Sequence, residues 1–232
     1  MKPEDRLIVA LDVAEPHEAF QLTSQLAGVA NWVKVGSVLF SLAGRSLVKK
    51  LVDDGWNVFL DLKLHDVPHQ VGMTVHALSD LGVKLATLHT SGGPRMMEAA
   101  AKAADGSGAK ELDLLGVTVL TSMDDTELAS VGVVGTPAAT VELRARLAKE
   151  SGLDGVVSSA LEARAIREIV GDHFEIVTPG IRPKGVQSHD QKRVATPKEA
   201  IDAGASRIVV GRAITQAVDP AQAASSILKS LQ

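Results

Sequence analysis

Short, densely apolar runs alternate along the chain with longer stretches whose apolar residues recur at helical spacing. Leu7-Ile8-Val9-Ala10-Leu11 is apolar at every position, as a strand buried on both faces of a parallel sheet must be. Pro16 to Ala27 then reads as a helix, with proline near its start and Gly28 just beyond its end. The cycle repeats, with strand-like runs at Trp32 to Val35, Val58 to Leu62, Leu85 to Leu88, Leu114 to Leu120, Gly155 to Val157, Ile176 to Val177 and Ile208 to Val210. Helical patterns follow at Ser46 to Asp54, Pro68 to Leu81, Arg95 to Ala104, Ala138 to Ser151, Leu161 to Val170, Pro197 to Ala203 and Pro220 to Leu231. Eight units in 232 residues average about 29 residues each, the size of one βα repeat. Such a chain closes either as a (β/α)8 barrel or as an open doubly wound sheet. The count, the spacing and the lack of Gly-x-Gly-x-x-Gly after the first run favour the barrel. No Pro/Ser/Gly-rich linker divides the chain, so residues 1–232 are read as a single α/β domain, a (β/α)8 TIM barrel. Gly180 to Arg193, polar and long for a βα connection, reads as a mobile loop on the catalytic face.

In a barrel, chemistry belongs at the C-terminal ends of the strands, so charges that close an apolar run are informative. Asp12 ends the first run, Lys34 lies in the second, and Asp61 with Lys63 ends the third. One such charge alone reads as a core salt bridge or a helix cap. Four together differ, because burying ions costs several kcal/mol each unless they pair closely, and apolar packing serves stability as well. Asp61 and Lys63 are two apart, so in a strand they share a face, with Lys34 reaching the same mouth from the neighbouring strand. An alternating Asp/Lys array there suggests function. After the eighth run, Gly211-Arg212 offers close backbone approach and a forked cation, as phosphate binding requires; a solvated helix start is the plainer reading of Arg212. Thr178-Pro179-Gly180-Ile181-Arg182 forms a second candidate edge, and a phosphorylated small molecule is the expected ligand. His65 and His69 are four apart, but Pro68 lies between them and Asp66 stands where a zinc protease motif has Glu, so they read as polar loop residues. His89 closes the fourth run, where it either lines the pocket or, by the preferred reading, serves as a hydrogen-bonded structural histidine.

Composition narrows the function classes. Lys and Arg number 24 against 28 Asp and Glu, a net charge of −4, which gives no electrostatic footprint for nucleic acid or an anionic membrane. Aromatics are 3% with no Tyr, against stacking platforms for single-stranded nucleic acid. The absence of Cys removes disulfides, thiolate chemistry and Cys-ligated metals. Met1 to Arg6 has no signal-peptide character and no apolar run approaches the roughly 20 residues of a membrane span, so a soluble cytoplasmic protein is expected.

The stretch Asp61-Leu62-Lys63-Leu64-His65-Asp66-Val67-Pro68 resembles the signature of the orotidine 5′-phosphate decarboxylases of the bacterial type. The similarity runs nearly end to end: Ala10-Leu11-Asp12, Val33-Lys34-Val35-Gly36, Leu120-Thr121-Ser122, Val177 to Arg182, Asp190-Gln191 with Arg193 to Pro197, and Val209 to Thr215. Asp-x-Lys-x-x-Asp alone is shared with sugar-phosphate relatives; the longer form together with Gly211-Arg212 marks the decarboxylases. The resemblance implies cofactor-independent conversion of orotidine 5′-phosphate to UMP and CO2 in pyrimidine biosynthesis, with no metal. It implies Lys63 as proton donor to C6 of the pyrimidine, Asp61 beside the departing carboxylate, and Lys34 and Asp12 on the ribose hydroxyls. Asp66 would cross to the partner's site in a homodimer. Thr121 would meet the pyrimidine or the loop over it, Arg182, Gln191, Gly211 and Arg212 would serve the phosphate or the closing loop, and Pro179 would belong to the substrate-binding set. The motif residues Leu62, Leu64, His65, Val67 and Pro68 complete the implied binding set, together with His69 and Gln70. At these last two positions the chain departs from relatives that often carry Asn-Thr or Thr-Thr, which leaves their backbone groups as the implied contacts.

Loss of CO2 from C6 leaves an anion orthogonal to the ring π system, so catalysis must come from fixed charges, over the ~8–23 kcal/mol typical of enzymes or beyond it. Two rivals stand beside this reading. A metal-dependent 3-keto-gulonate phosphate decarboxylase or hexulose phosphate synthase relative needs a carboxylate cluster for Mg2+, and no extra Glu ends an adjacent strand. A non-catalytic nucleotide-binding protein would have no use for intact Asp61, Lys63 and Asp66.

Overall fold

The apolar runs become eight parallel strands that pair in sequence order and close on themselves. They are β1 (Leu7–Ala10), β2 (Trp32–Gly36), β3 (Asn57–Leu64), β4 (Leu85–His89), β5 (Asp113–Val117), β6 (Gly155–Val157), β7 (Glu175–Thr178) and β8 (Arg207–Val210). Closure is made at β1, where Ile8 lies in register with Trp32 on one side and Val209 on the other. The computed structural model describes residues 1–106, 112–183 and 195–231.

The helices are α1 (Pro3–Arg6), α2 (Pro16–Leu26), α3 (Ser37–Asp53), α4 (Pro68–Ser79), α5 (Pro94–Gly106), α6 (Asp125–Ser130), α7 (Pro137–Glu150), α8 (Ala163–Val170), α9 (Pro197–Asp202), α10 (Arg212–Thr215) and α11 (Pro220–Ser230). Their starts are written in the sequence. Proline opens most of them, where its missing N–H costs no helical hydrogen bond. Thr196 accepts from the Glu199 N–H while Glu199 accepts from the Thr196 N–H, and Asp219 accepts from the Gln222 N–H. Four short elements were not expected: α1, α6, α10 and a 3-10 turn at Thr90–Gly92. The helix expected from Ser46 starts at Ser37 instead and is broken at Gly44, whose φ of 61° no helix accommodates. The strand expected to run to Leu120 stops at Val117.

The strands separate two cores. Outward side chains such as Val33, Leu60, Leu88 and Ile176 pack under the helices. Inward side chains form a smaller cluster of Ile8, Ala10, Trp32, Phe59, Leu85, Leu115, Val177 and Val209. Because side chains alternate, the inward stripe can be followed up each strand: Trp32 to Lys34, Leu85 to Thr87, Asp113 to Leu115, Glu175 to Val177, Arg207 to Val209 to Gly211. The barrel interior is therefore polar at both ends and apolar between. Phe59 fills its middle, fully buried, a placement that contributes about 1.5–3 kcal/mol relative to exposure.

At the N-terminal end the stripe meets Asp113, Glu175 and Arg207. The Arg207 guanidinium lies 4.1 Å from the Trp32 ring centroid and 3.5 Å from Glu175, and donates to the Asp5 carbonyl of α1 at 2.6 Å. Asp154 stands beside this group and accepts from the Leu114 N–H at 2.8 Å. Burial, then the neighbouring Asp154 and Glu175 charges, push the Asp113 carboxyl up to about 6, against the opposing pull of Arg207. Trp32 Nε1, Glu175 Oε2 and Arg207 Nε are buried without hydrogen-bond partners.

Candidate active site

At the C-terminal end the inward stripe opens into a cavity of about 700 Å3, a size that suits a small ligand. Its apolar floor includes Ala10, Phe59, Val117, Val157 and Val209. Four charges form a chain across it. Lys34 Nζ lies 2.9 Å from Asp12 Oδ1 and 3.5 Å from Asp61 Oδ2, and Lys63 Nζ lies 2.8 Å from Asp61 Oδ1. The order is acid, base, acid, base. Lys34 and Asp61 are the buried members, and Asp12 and Lys63 face the opening. Gly36, next on the Lys34 stripe, keeps room for this chain, because a Cβ there would stand 3.2 Å from Lys34 Nζ and 3.3 Å from Asp12 Oδ1.

Burial alone would raise the Asp61 carboxyl. The Lys34 and Lys63 ammoniums, with hydrogen bonds from Lys63 and Thr87, outweigh that and hold it below the ordinary aspartate value. Asp61 is therefore ionised at neutral pH, and it faces two cations.

The expected face-sharing of Asp61 and Lys63 is met by a different backbone. Between its pairings Leu60↔Ala86 and Leu64↔Leu88, β3 advances four residues while β4 advances two. Lys63 sits in that bulge with φ 54°, a left-handed conformation and the only one among the described non-glycine residues. Its N–H donates to Thr87 Oγ1 at 2.9 Å instead of to a strand carbonyl, and Thr87 Oγ1 donates in turn to Asp61 Oδ1 at 3.0 Å. Sequence reading missed Thr87. The signal was a hydroxyl two residues before His89 in an otherwise apolar run.

Across the cavity stand Thr121, Pro179, Arg182, Gly211 and Arg212. Arg182 is buried and donates to the Ile181 carbonyl at 2.8 Å. Its N–H also donates to Ala195 O at 2.9 Å, in a parallel bridge that ties the two stems of the expected 180–193 loop. Gln191 and residues 184–194 of that loop lie outside the described residues.

Not every expected site residue reaches this cavity. Leu62 and Leu64 pack against the outer core under the helices, because, like Leu60, they lie on the face of β3 opposite Asp61 and Lys63. His65, Asp66, Val67, Pro68, His69 and Gln70 are exposed at the start of α4. Asp66 Oδ1 accepts from the Val67 N–H at 2.6 Å and makes no ion pair with a described residue of its own chain. His65 and His89 stack at 5.5 Å, and burial, then the charges of His65, Lys63 and Arg144, keep His89 below its ordinary value, so it is neutral at pH 7. Among the described residues no group of three or more His, Asp or Glu side chains is placed to hold a metal ion, and no helix is long and apolar enough to cross a membrane.

In sequence and in fold the chain is similar to known proteins. Residues 5–227 match the model of the orotidine 5′-phosphate decarboxylase / HUMPS family. A relative from Alcanivorax borkumensis named orotidine 5′-phosphate decarboxylase is 48% identical over 225 residues, 97% of each chain. One of the same name from Pseudoalteromonas translucida is 46% identical over 227 residues, 98% of this chain and 97% of its own. The crystal structure of orotidine 5′-phosphate decarboxylase from Lactobacillus acidophilus superposes with a TM-score of 0.87 at 40% identity, over 97% of this chain and 98% of that one. A family model spanning nearly the whole chain, together with relatives matched almost end to end, places this protein in the orotidine 5′-phosphate decarboxylase / HUMPS family.

Proposed function

We propose that the protein decarboxylates orotidine 5′-phosphate to UMP, with Lys63 as the acid. The observation that carries this reading is the alternating chain Asp12–Lys34–Asp61–Lys63 at the mouth of an apolar-floored barrel. Cleavage of the C6–carboxylate bond leaves its electron pair on C6. An ammonium held there stabilises that charge as it forms and then transfers its proton to carbon. Ionised Asp61 holds the Lys63 side chain by an ion pair at 2.8 Å and disfavours a second carboxylate beside it. Lys34 and Asp12, already paired at 2.9 Å, present a donor and an acceptor to ribose hydroxyls. Gly211 and Arg212, with buried Arg182, form the phosphate end, and Thr121 and Pro179 flank the base. Gln191 takes its role from the resemblance alone.

The reading extends to a dimer with shared sites. Asp66 is exposed beside Val67, and the large apolar residues Val38 and Leu42 of α3, Met73 of α4 and Val67 just before α4 are exposed too, on helices that the Arg45–Ala77 hydrogen bond holds side by side. A second copy seated there would bury these residues and bring its Asp66 towards Lys63 across a two-fold axis.

Purified protein given orotidine 5′-phosphate in EDTA should consume the substrate absorbance and release CO2. A requirement for Mg2+ would favour the sugar-phosphate side of the family, and nucleotide binding without turnover would make this a binding protein. The shared site has its own test. Lys63→Ala and Asp66→Ala proteins, each nearly inactive, should recover activity when their subunits exchange. The ceiling is about half the wild-type rate per heterodimer, because one of two sites is repaired. Verified exchange without recovery would assign Asp66 to its own chain.

A further inference from the structure

We infer that Thr87 is a positioning residue for the reaction, the clasp that holds Lys63 and Asp61 in their working geometry; this rests on the proposed role of Lys63. Thr87 is buried in β4, opposite the bulge of β3, and its side chain touches both catalytic candidates without lining the cavity. The bulge takes the Lys63 N–H out of the β ladder, and a buried N–H left without an acceptor is costly. Thr87 Oγ1 is the acceptor, at 2.9 Å. The same oxygen spends its proton on Asp61 Oδ1, at 3.0 Å, which also accepts from Lys63 Nζ at 2.8 Å. The result is a closed ring: Lys63 backbone, Thr87 hydroxyl, Asp61 carboxylate, Lys63 ammonium.

The ring explains how a lysine persists at φ 54°, a conformation that surrounding contacts must over-determine. It also explains why a hydroxyl is required. One oxygen must accept on one side and donate on the other, and no apolar side chain of that volume does either. Without it, the Lys63 backbone is free to relax toward the extended region, which swings its ammonium away from Asp61. The substrate's ribose and phosphate contacts are elsewhere in the cavity, so this loss falls on the chemical step.

The test compares Thr87→Val, which keeps shape and removes the hydroxyl, with Thr87→Ser, which keeps the hydroxyl. For Val, kcat should fall about 10- to 100-fold, the range of a hydrogen bond to a charged group, with KM and UMP affinity within threefold of wild type. Ser should stay within threefold on both. The backbone amide of residue 63 should lose at least tenfold of its hydrogen-exchange protection in Val and keep it in Ser. Val with wild-type kcat and amide protection, or Val and Ser reduced equally, would overturn the proposal, as would a loss confined to KM. Wild-type protein that fails to turn over orotidine 5′-phosphate would defeat the functional reading instead, and the amide measurement would still decide the clasp.

Discussion

The two ends of the barrel interior carry similar residues to opposite effect. At the C-terminal mouth Asp12, Lys34, Asp61 and Lys63 alternate in sign, and each of these four has an opposite neighbour within 3.5 Å. At the N-terminal mouth Arg207 stands among Asp113, Asp154 and Glu175, with polar atoms of Trp32, Glu175 and Arg207 itself left unpaired. The first arrangement keeps a carboxylate ionised against its own burial; the second raises Asp113 to about 6. Buried charge alone therefore does not mark a site. Alternation of sign, access to a cavity and a strained backbone at Lys63 distinguish the end proposed to do chemistry from the opposite one.

Substitutions at the two ends should separate activity from stability. Lys63→Ala removes the proposed acid and the cation at C6 together, and kcat/KM should fall by about 10^4-fold or more while the protein still folds, with Lys34 left 3.5 Å from Asp61. A folded variant with substantial turnover would remove Lys63 from the mechanism. At the other end, Arg207→Met should cost about 3–5 kcal/mol in urea denaturation, because it strands buried carboxylates, with kcat per folded molecule unchanged. Loss of activity without loss of stability there would dissolve the contrast.

The smallest effect is a pH dependence of opposite sign at the two ends. The raised Asp113 carboxyl binds its proton more tightly in the folded chain, so the stability it contributes is fullest below pH ~4 and is lost as pH rises through about 6. The lowered Asp61 carboxyl acts the other way, contributing above the ordinary aspartate range and losing that contribution only as pH falls below it. Asp113→Asn should thus stabilise the protein by about 1 kcal/mol at pH 8, after discounting for partial exposure, and by nothing at pH 4. An equal gain at both pH values would show that Asp113 does not titrate there.

The sequence made one of these ends legible and hid the other, for the same reason. Asp12, Lys34, Asp61 and Lys63 stand out because they interrupt or close apolar runs, where a charge has no ordinary business. Asp113, Glu175 and Arg207 open theirs, next to polar loops, so the expected strands began one residue later, at Leu114, Ile176 and Ile208. Counting inward positions by twos, from Val209 down to Arg207 or from Leu115 down to Asp113, would have found them. The barrel and its strand order followed from the rhythm of the runs. The β3 bulge did not, because Leu60 to Leu64 reads as a plain alternating strand and only its pairing with β4 reveals two extra residues. Thr87 was lost with it.

The seam between β1 and β8 sets a timetable for folding. The hydrogen bond from Arg207 to Asp5 joins residues 202 positions apart, and β1 acquires its second neighbour only when β8 arrives. Contacts of such sequence separation form slowly, since chain entropy must be lost before they contribute. Until then β1 presents an apolar, unpaired edge to solvent and to other nascent chains. The first eighth of the molecule thus stays open to aggregation until the last eighth has been made and docked.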